Sequence, residues 1–132
     1  MLDADIRSLI GTTKIRYTPG NGNWKVSTLA RAIFAMSLTE LGRSHTDANT
    51  EGSTLPIAST LRIAYLNGSP TTQWTRSPST DSTEAAVVLN SGGVVRNVYC
   101  NDSVGSRPCF TLPATAMVDP TPNPDGSYNL IY

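Results

Sequence analysis

The sequence predicts an α+β domain, mainly antiparallel β with short helices and long loops. Three observations predict it. Residues 85–89 and 94–100 are short runs rich in valine, separated by Asn90-Ser91-Gly92-Gly93, a strand–turn–strand pattern with glycines free to adopt positive φ. Residues 14–17 and 24–27 flank the turn-forming string Thr18-Pro19-Gly20-Asn21-Gly22-Asn23, which reads as a second hairpin. Helical signals are brief: Asp3 is placed to cap a short helix that runs to about Ile10 and is ended by Gly11.

Taken in order, the elements after the first hairpin are less uniform. Residues 29–41 fit two periods, since Val26, Leu29, Ala30 and Ile33 make a helical stripe while Phe34, Met36 and Leu38 alternate as in a strand. Residues 61–66, stopped by Asn67-Gly68, read as a short helix or an irregular turn-rich segment. Two polar stretches, 42–54 and 68–84, show neither period and are long for loops in a compact domain. In the second half, Val94, Arg96, Val98 and Cys100 fall on one face and Val95, Asn97 and Tyr99 on the other. Residues 109–112 then read as a third strand, completing an antiparallel meander. Residues 1–112 form the predicted domain. Residues 113–132 carry Pro113, Pro120, Pro122 and Pro124, so this tail should run extended and pack on the domain or on a neighbour. Its last residues alternate well enough to add a strand to a sheet edge.

The composition narrows the function classes. Of 132 residues, 39% are hydrophobic and only 15% charged, against about 25% charged in an average domain. Serine and threonine take up the difference. Ten basic and ten acidic residues give a formal net charge of zero, which leaves no basic face for nucleic acid. No apolar run approaches the ~20 residues that a membrane-spanning helix needs. The acidic start, Met1 to Asp5, leads into no signal-peptide-like apolar run.

No catalytic constellation emerges. His45 is the only histidine and no Gly-x-Ser-x-Gly elbow accompanies it. The Gly20-Asn21-Gly22 string lacks the later glycine of a dinucleotide loop, and no phosphate loop is present. Glu40 and Glu51 read as caps or solvated residues as readily as general acids. Asn67-Gly68-Ser69 and Asn101-Asp102-Ser103 match glycosylation acceptors but read as turns. Cys100 and Cys109 are too few for a zinc site; they are either two thiols or a disulfide closing the loop 101–108. No metal and no cofactor is expected. Binding is the better prospect. Trp74 and Arg76 are residue types that dominate contact surfaces, although Trp74 reads equally as a core anchor with Arg76 holding loop carbonyls. The exposed positions around them, Tyr65, Asn67, Gln73 and Asn97, are then the candidate contact residues.

Several strings occur together in a familiar order: Ser37-x-x-Glu40-Leu41-Gly42, Glu51-Gly52-Ser53, Trp74-x-Arg76-Ser77-Pro78, Asn90-Ser91-Gly92-Gly93, and Arg107-Pro108 ahead of a last strand. Across residues 33–112 they resemble a domain of uncharacterised function found in tail and other virion proteins of phages of Firmicutes and in bacterial surface proteins. That family is distantly similar to the C-type-lectin fold, which the resemblance therefore implies here. It also implies that Trp74, Arg76, Ser77, Pro78, Arg107 and Pro108 are scaffold positions shaping the loops. Cys109 stands where the family often has alanine. The carbohydrate triplets of calcium-dependent lectins are absent from the sequence, and no calcium is expected.

The functional expectation is a non-enzymatic virion structural protein, a capsid decoration or a tail or baseplate accessory, that displays surface loops for host attachment. The alternative is a carbohydrate- or protein-binding module of a receptor-binding or bacterial surface protein. Expected partners are other virion proteins, further copies of the chain, and a host-surface glycan or protein. Neither nucleic acid nor membrane is among them.

Overall fold

The computed structural model describes residues 4–57, 59–80, 86–89, 93–99, 101–124 and 127–131. Among them lie one short helix and several small antiparallel sheets, the α+β character the sequence predicts. Helix α1 spans Ala4–Leu9. Strands β1 (Thr13–Tyr17) and β2 (Ser27–Arg31) pair antiparallel with Ile15 opposite Leu29. The hairpin is therefore real, but its second strand starts at Ser27 rather than at Trp24. The reason is the turn: Gly20 and Asn23 exchange both backbone hydrogen bonds, at 3.1 and 3.0 Å, which leaves Trp24 in the connecting loop. Leu29 and Ala30 belong to this strand, so the helical stripe through them is overridden by pairing.

A 3-10 turn, Ser59–Arg62, leads into β3 (Ala64–Leu66), which pairs with β4 (Ser69–Thr71). The sequence reading missed this hairpin. Its signal is Asn67-Gly68, both at positive φ (51° and 79°), as the two-residue hairpin turn that suits strand twist requires. Next come β5 (Gln73–Trp74), β6 (Ala86–Leu89) and β7 (Val95–Val98), a three-stranded sheet in the order β5-β6-β7. The hairpin β6–β7 is the expected one, with Val88 opposite Arg96; turn residues 90–92 lie outside the described residues.

The third strand of that sheet is β5, not residues 109–112. Those residues turn back to the first half instead: Cys109 bridges Phe34 and Thr111 bridges Gly11. In the tail, β8 (Met117–Val118) pairs with β9 (Leu130–Ile131). The last residues thus pair within the tail, closed by Asp119 N to Asn129 O and Asn123 N to Ser127 O, both 2.8 Å. Prolines 120, 122 and 124 fall in the connecting loop, where a missing N–H breaks no ladder. No helix among the described residues is long and apolar enough to cross a membrane.

The interior is unusual in its chemistry. Among the residues whose burial is described, the buried apolar side chains are Ile15, Leu38, Leu41, Ala64 and Val98, while Thr18, Ser37, Glu51, Gln73, Thr75, Ser77 and Ser79 are also buried. Trp74, the core anchor one sequence reading offered, is only half-buried, as are Phe34 and Phe110. Many of the described buried groups are polar and are held by hydrogen bonds.

Candidate functional site

The signature Ser37-x-x-Glu40-Leu41-Gly42 is a single helical turn closed at both ends. At its start Glu40 N donates to Ser37 Oγ (3.1 Å) and Ser37 N donates back to Glu40 Oε2 (3.0 Å), a reciprocal capping box. At its end Arg43 N reaches Leu38 O (3.0 Å) and Gly42 N reaches Thr39 O (2.9 Å), the paired bonds of a Schellman cap. Gly42 has φ +67°, and a Cβ there would lie 2.5 Å from Arg62 Nη1. Only glycine fits.

Arg76 enters this turn from the segment after β5. Its Nη1 and Nη2 bind the two Glu40 carboxylate oxygens at 2.7 and 2.5 Å. Its Nη1 also donates to Ala35 O (2.7 Å) and its Nε to Arg16 O (2.8 Å). The guanidinium lies 5.8 Å from the Phe34 ring centroid, within cation–π range. Next door, Glu51 is 0% exposed. Its carboxylate accepts from Thr18 N and from Ser77 Oγ (2.6 Å), and its carbonyl accepts from Ser37 Oγ (2.7 Å). The Ser77 hydroxyl in turn accepts from Leu38 N at 3.0 Å. Glu40 is thus a cap, as one sequence reading had it, but Glu51 is no solvated residue: three segments close over it. The Ser77–Glu51 pair sets a hydroxyl beside a carboxylate, and both residues are sealed from solvent. Arg76, Ser77 and Glu51 form a structural knot.

The accessible feature lies elsewhere. A cleft of about 710 Å³ opens between the 3-10 turn with the β3–β4 hairpin on one side and Gly105, Ser106 and Arg107 on the other. Its walls are mostly aliphatic: Leu61, Ile63, Ala64 and Leu66. Tyr65, 58% exposed, stands at the rim. Thr60, Thr71 and Ser106 add hydroxyls, and Arg107 supplies the one charge among the described lining residues. Two side chains pin the wall by its carbonyls: Arg107 Nη1 to Leu61 O and Gln73 Nε2 to Arg62 O, both 2.7 Å. These satisfy acceptors that the end of a short helix leaves open.

Of the four candidate contact residues, Tyr65 lines the cleft and exposed Asn67 sits at the turn next to Gly68, which also lines it. Gln73 is a correction. It is 2% exposed, because β5 is flanked by β6 on one edge and by Gly105 on the other, and its amide serves the neighbouring 3-10 turn. Asn97 lies apart on β7, where its Nδ2 donates to Asp47 Oδ2 (2.8 Å); Asp47 also sits 3.5 Å from His45. Of the scaffold positions, Arg76 and Ser77 belong to the knot and Trp74 continues β5, its N–H donating to Gly105 O at 2.9 Å. Pro78 packs against Gly20, Arg107 braces the cleft wall, and Pro108 is exposed. Cys109 is a half-buried free thiol; Cys100, its suggested disulfide partner, lies outside the described residues. Burial pushes the Cys109 thiol up, against the opposing pull of the Arg107 charge and a Met36 backbone hydrogen bond. Among the described residues, no three His, Cys, Asp or Glu side chains cluster as a metal site would need.

No curated protein and no solved structure matches the chain. The profile of one family, described as a domain of unknown function (DUF6273), matches residues 1–114, which take in the capped turn, the knot and the cleft but stop short of the β8–β9 hairpin. The chain belongs to the DUF6273 family.

Proposed function

We propose that this domain is a non-enzymatic contact module, a structural protein of a phage virion that presents the cleft and its rim to other proteins. What carries the reading is the distribution of charge. The carboxylates and guanidinium best suited to chemistry, Glu40, Glu51 and Arg76, are consumed in the buried knot. The open cleft offers aliphatic walls, three hydroxyls and one arginine, a surface for contact. The virion setting and a C-type-lectin-like architecture come from the sequence resemblance, whose motif residues coincide with the knot. Fractionating a source culture into particles, envelope and cytosol, followed by peptide mass spectrometry, tests the setting. Recovery with particles is expected; recovery only as free cytosolic chain overturns it.

The binding-module alternative is favoured by one observation, the exposed Tyr65 beside the cleft. Protein rather than glycan suits that cleft better. Among the described residues its lining holds no Asp, Glu, Asn or Gln, the side chains that would best accept from and donate to sugar hydroxyls. A glycan array is therefore expected to be blank, and a specific hit lost on Tyr65→Ala would reverse this preference.

A further inference from the structure

We propose that the cleft of one copy receives the β8–β9 hairpin of a second copy of the chain. This inference rests on the contact role proposed above and gives it a partner.

The hairpin is a self-contained unit with apolar side chains turned outward. Met117 and Val118 on one strand and Ile131 on the other are exposed, as is Tyr128, although β8 and β9 hydrogen-bond to each other. Met117 stands directly opposite Ile131, so these two exposed apolar side chains share one face of the hairpin, and Val118 is exposed on the other. A lone two-stranded hairpin is marginally stable in water, so a hairpin this small gains from being covered. The same chain carries an aliphatic cleft of about 710 Å³ that is open to receive it.

Charge points the same way. Residues 113–132 contain Asp119 and Asp125 and no lysine or arginine. Among the described residues the only charged one lining the cleft is Arg107, and no carboxylate there pairs with it; the ion pairs are Arg76–Glu40 and His45–Asp47. Asp119 spends Oδ1 on Thr121 N (2.8 Å), which leaves Oδ2 available for a partner's guanidinium. A cleft and a complementary projection on different parts of one chain make a head-to-tail contact, which builds rings or filaments and suits a component of a larger shell.

The test is sedimentation equilibrium of the full chain over a wide range of concentration, with two variants at exposed positions that leave the fold alone: Leu66→Asp in the cleft and Ile131→Asp in the hairpin. Concentration-dependent association is expected, weakened by about tenfold or more in each variant, the scale of losing one anchoring apolar contact. Asp119→Asn, which keeps an acceptor for Thr121 N and removes only the charge, should weaken it as well. Cysteines placed at Leu66 in one tagged copy and at Ile131 in another, in a Cys100→Ser, Cys109→Ser background, should cross-link between copies on oxidation. A chain that stays monomeric, or one that associates equally well in both aspartate variants, overturns the proposal. So does cross-linking that occurs only within a chain carrying both cysteines, which would seat the hairpin in its own cleft. A monomeric chain that still fractionates with particles would defeat the hairpin contact alone and leave the contact role standing.

Discussion

Arg76 grips both carboxylate oxygens of Glu40 from 36 residues away in sequence, with both side chains about nine-tenths buried. Such a planar, two-pronged pair is geometrically specific. Removing one partner leaves the other charge buried and uncompensated. Arg76→Ala is therefore expected to cost about 3–5 kcal/mol, and Arg76→Lys most of that, because an ammonium cannot also reach Arg16 O and Ala35 O. Urea melts of the single variants and of Arg76→Met with Glu40→Met should give a coupling of about 1–3 kcal/mol. Additive losses would mean the two residues act independently.

Glu51 is the second test of the polar interior. Glu51→Ala strands Thr18 N and the Ser77 hydroxyl without acceptors. A loss of about 2–5 kcal/mol is expected from two unsatisfied buried donors. Glu51→Gln keeps an acceptor oxygen and should cost less. Equal losses for the two variants on denaturant melts would count against a hydrogen-bonding role.

Gly42 ends the capped turn in a left-handed conformation and lies under the Arg62 guanidinium. Gly42→Ala should destabilise by at least about 1–2 kcal/mol from backbone strain alone. A Gly42→Ala, Arg62→Ala double variant should recover the steric share of the loss but not the strain, which calorimetry can separate.

Trp74 is half-buried and its main-chain N–H, not its indole, holds Gly105. Trp74→Ala is expected to cost about 1–3 kcal/mol, below the 3–5 kcal/mol or so of a fully enclosed aromatic. A larger measured loss would place the indole deeper in the core.

Cys109 gives a pH dependence with a definite sign. Burial raises its thiol above the unfolded value, so the unfolded chain loses this proton first as pH rises. Stability is then complete below the ordinary thiol range and declines as pH climbs from that range towards the raised folded value. In a Cys100→Ser background, urea melts across this window should show the decline, and Cys109→Ala should abolish it. The thiol should also alkylate more slowly than free cysteine at mildly alkaline pH.

What could be read from the sequence depended on how local the cause was. The β6–β7 hairpin was legible because its valines and glycine turn are adjacent in the chain. So was the β3–β4 hairpin, whose Asn67-Gly68 turn was seen but taken as a stop rather than a reversal. The capping box Ser37-x-x-Glu40 was written in the sequence as well, though only the structure joins it to Gly42 as one turn. The partners of Gln73, Glu51 and Arg76 were not legible. Each is a polar residue whose burial depends on segments 11 to 60 residues away, and polarity alone assigns such residues to the surface. The cleft, built from residues 60–71 and 105–107, was not legible either, although Tyr65, which lines it, was among the candidate residues.

The knot has a bearing on how the chain comes into being. Glu51 joins Thr18, Ser37 and Ser77, and Arg76 reaches back to Arg16, so a growing polypeptide that has emerged only as far as its middle holds an acid whose partner Ser77 is not yet synthesised. Long-range closure of this kind slows folding relative to a helical bundle of equal size. The knot can close only after the segment carrying Arg76 and Ser77 has been synthesised.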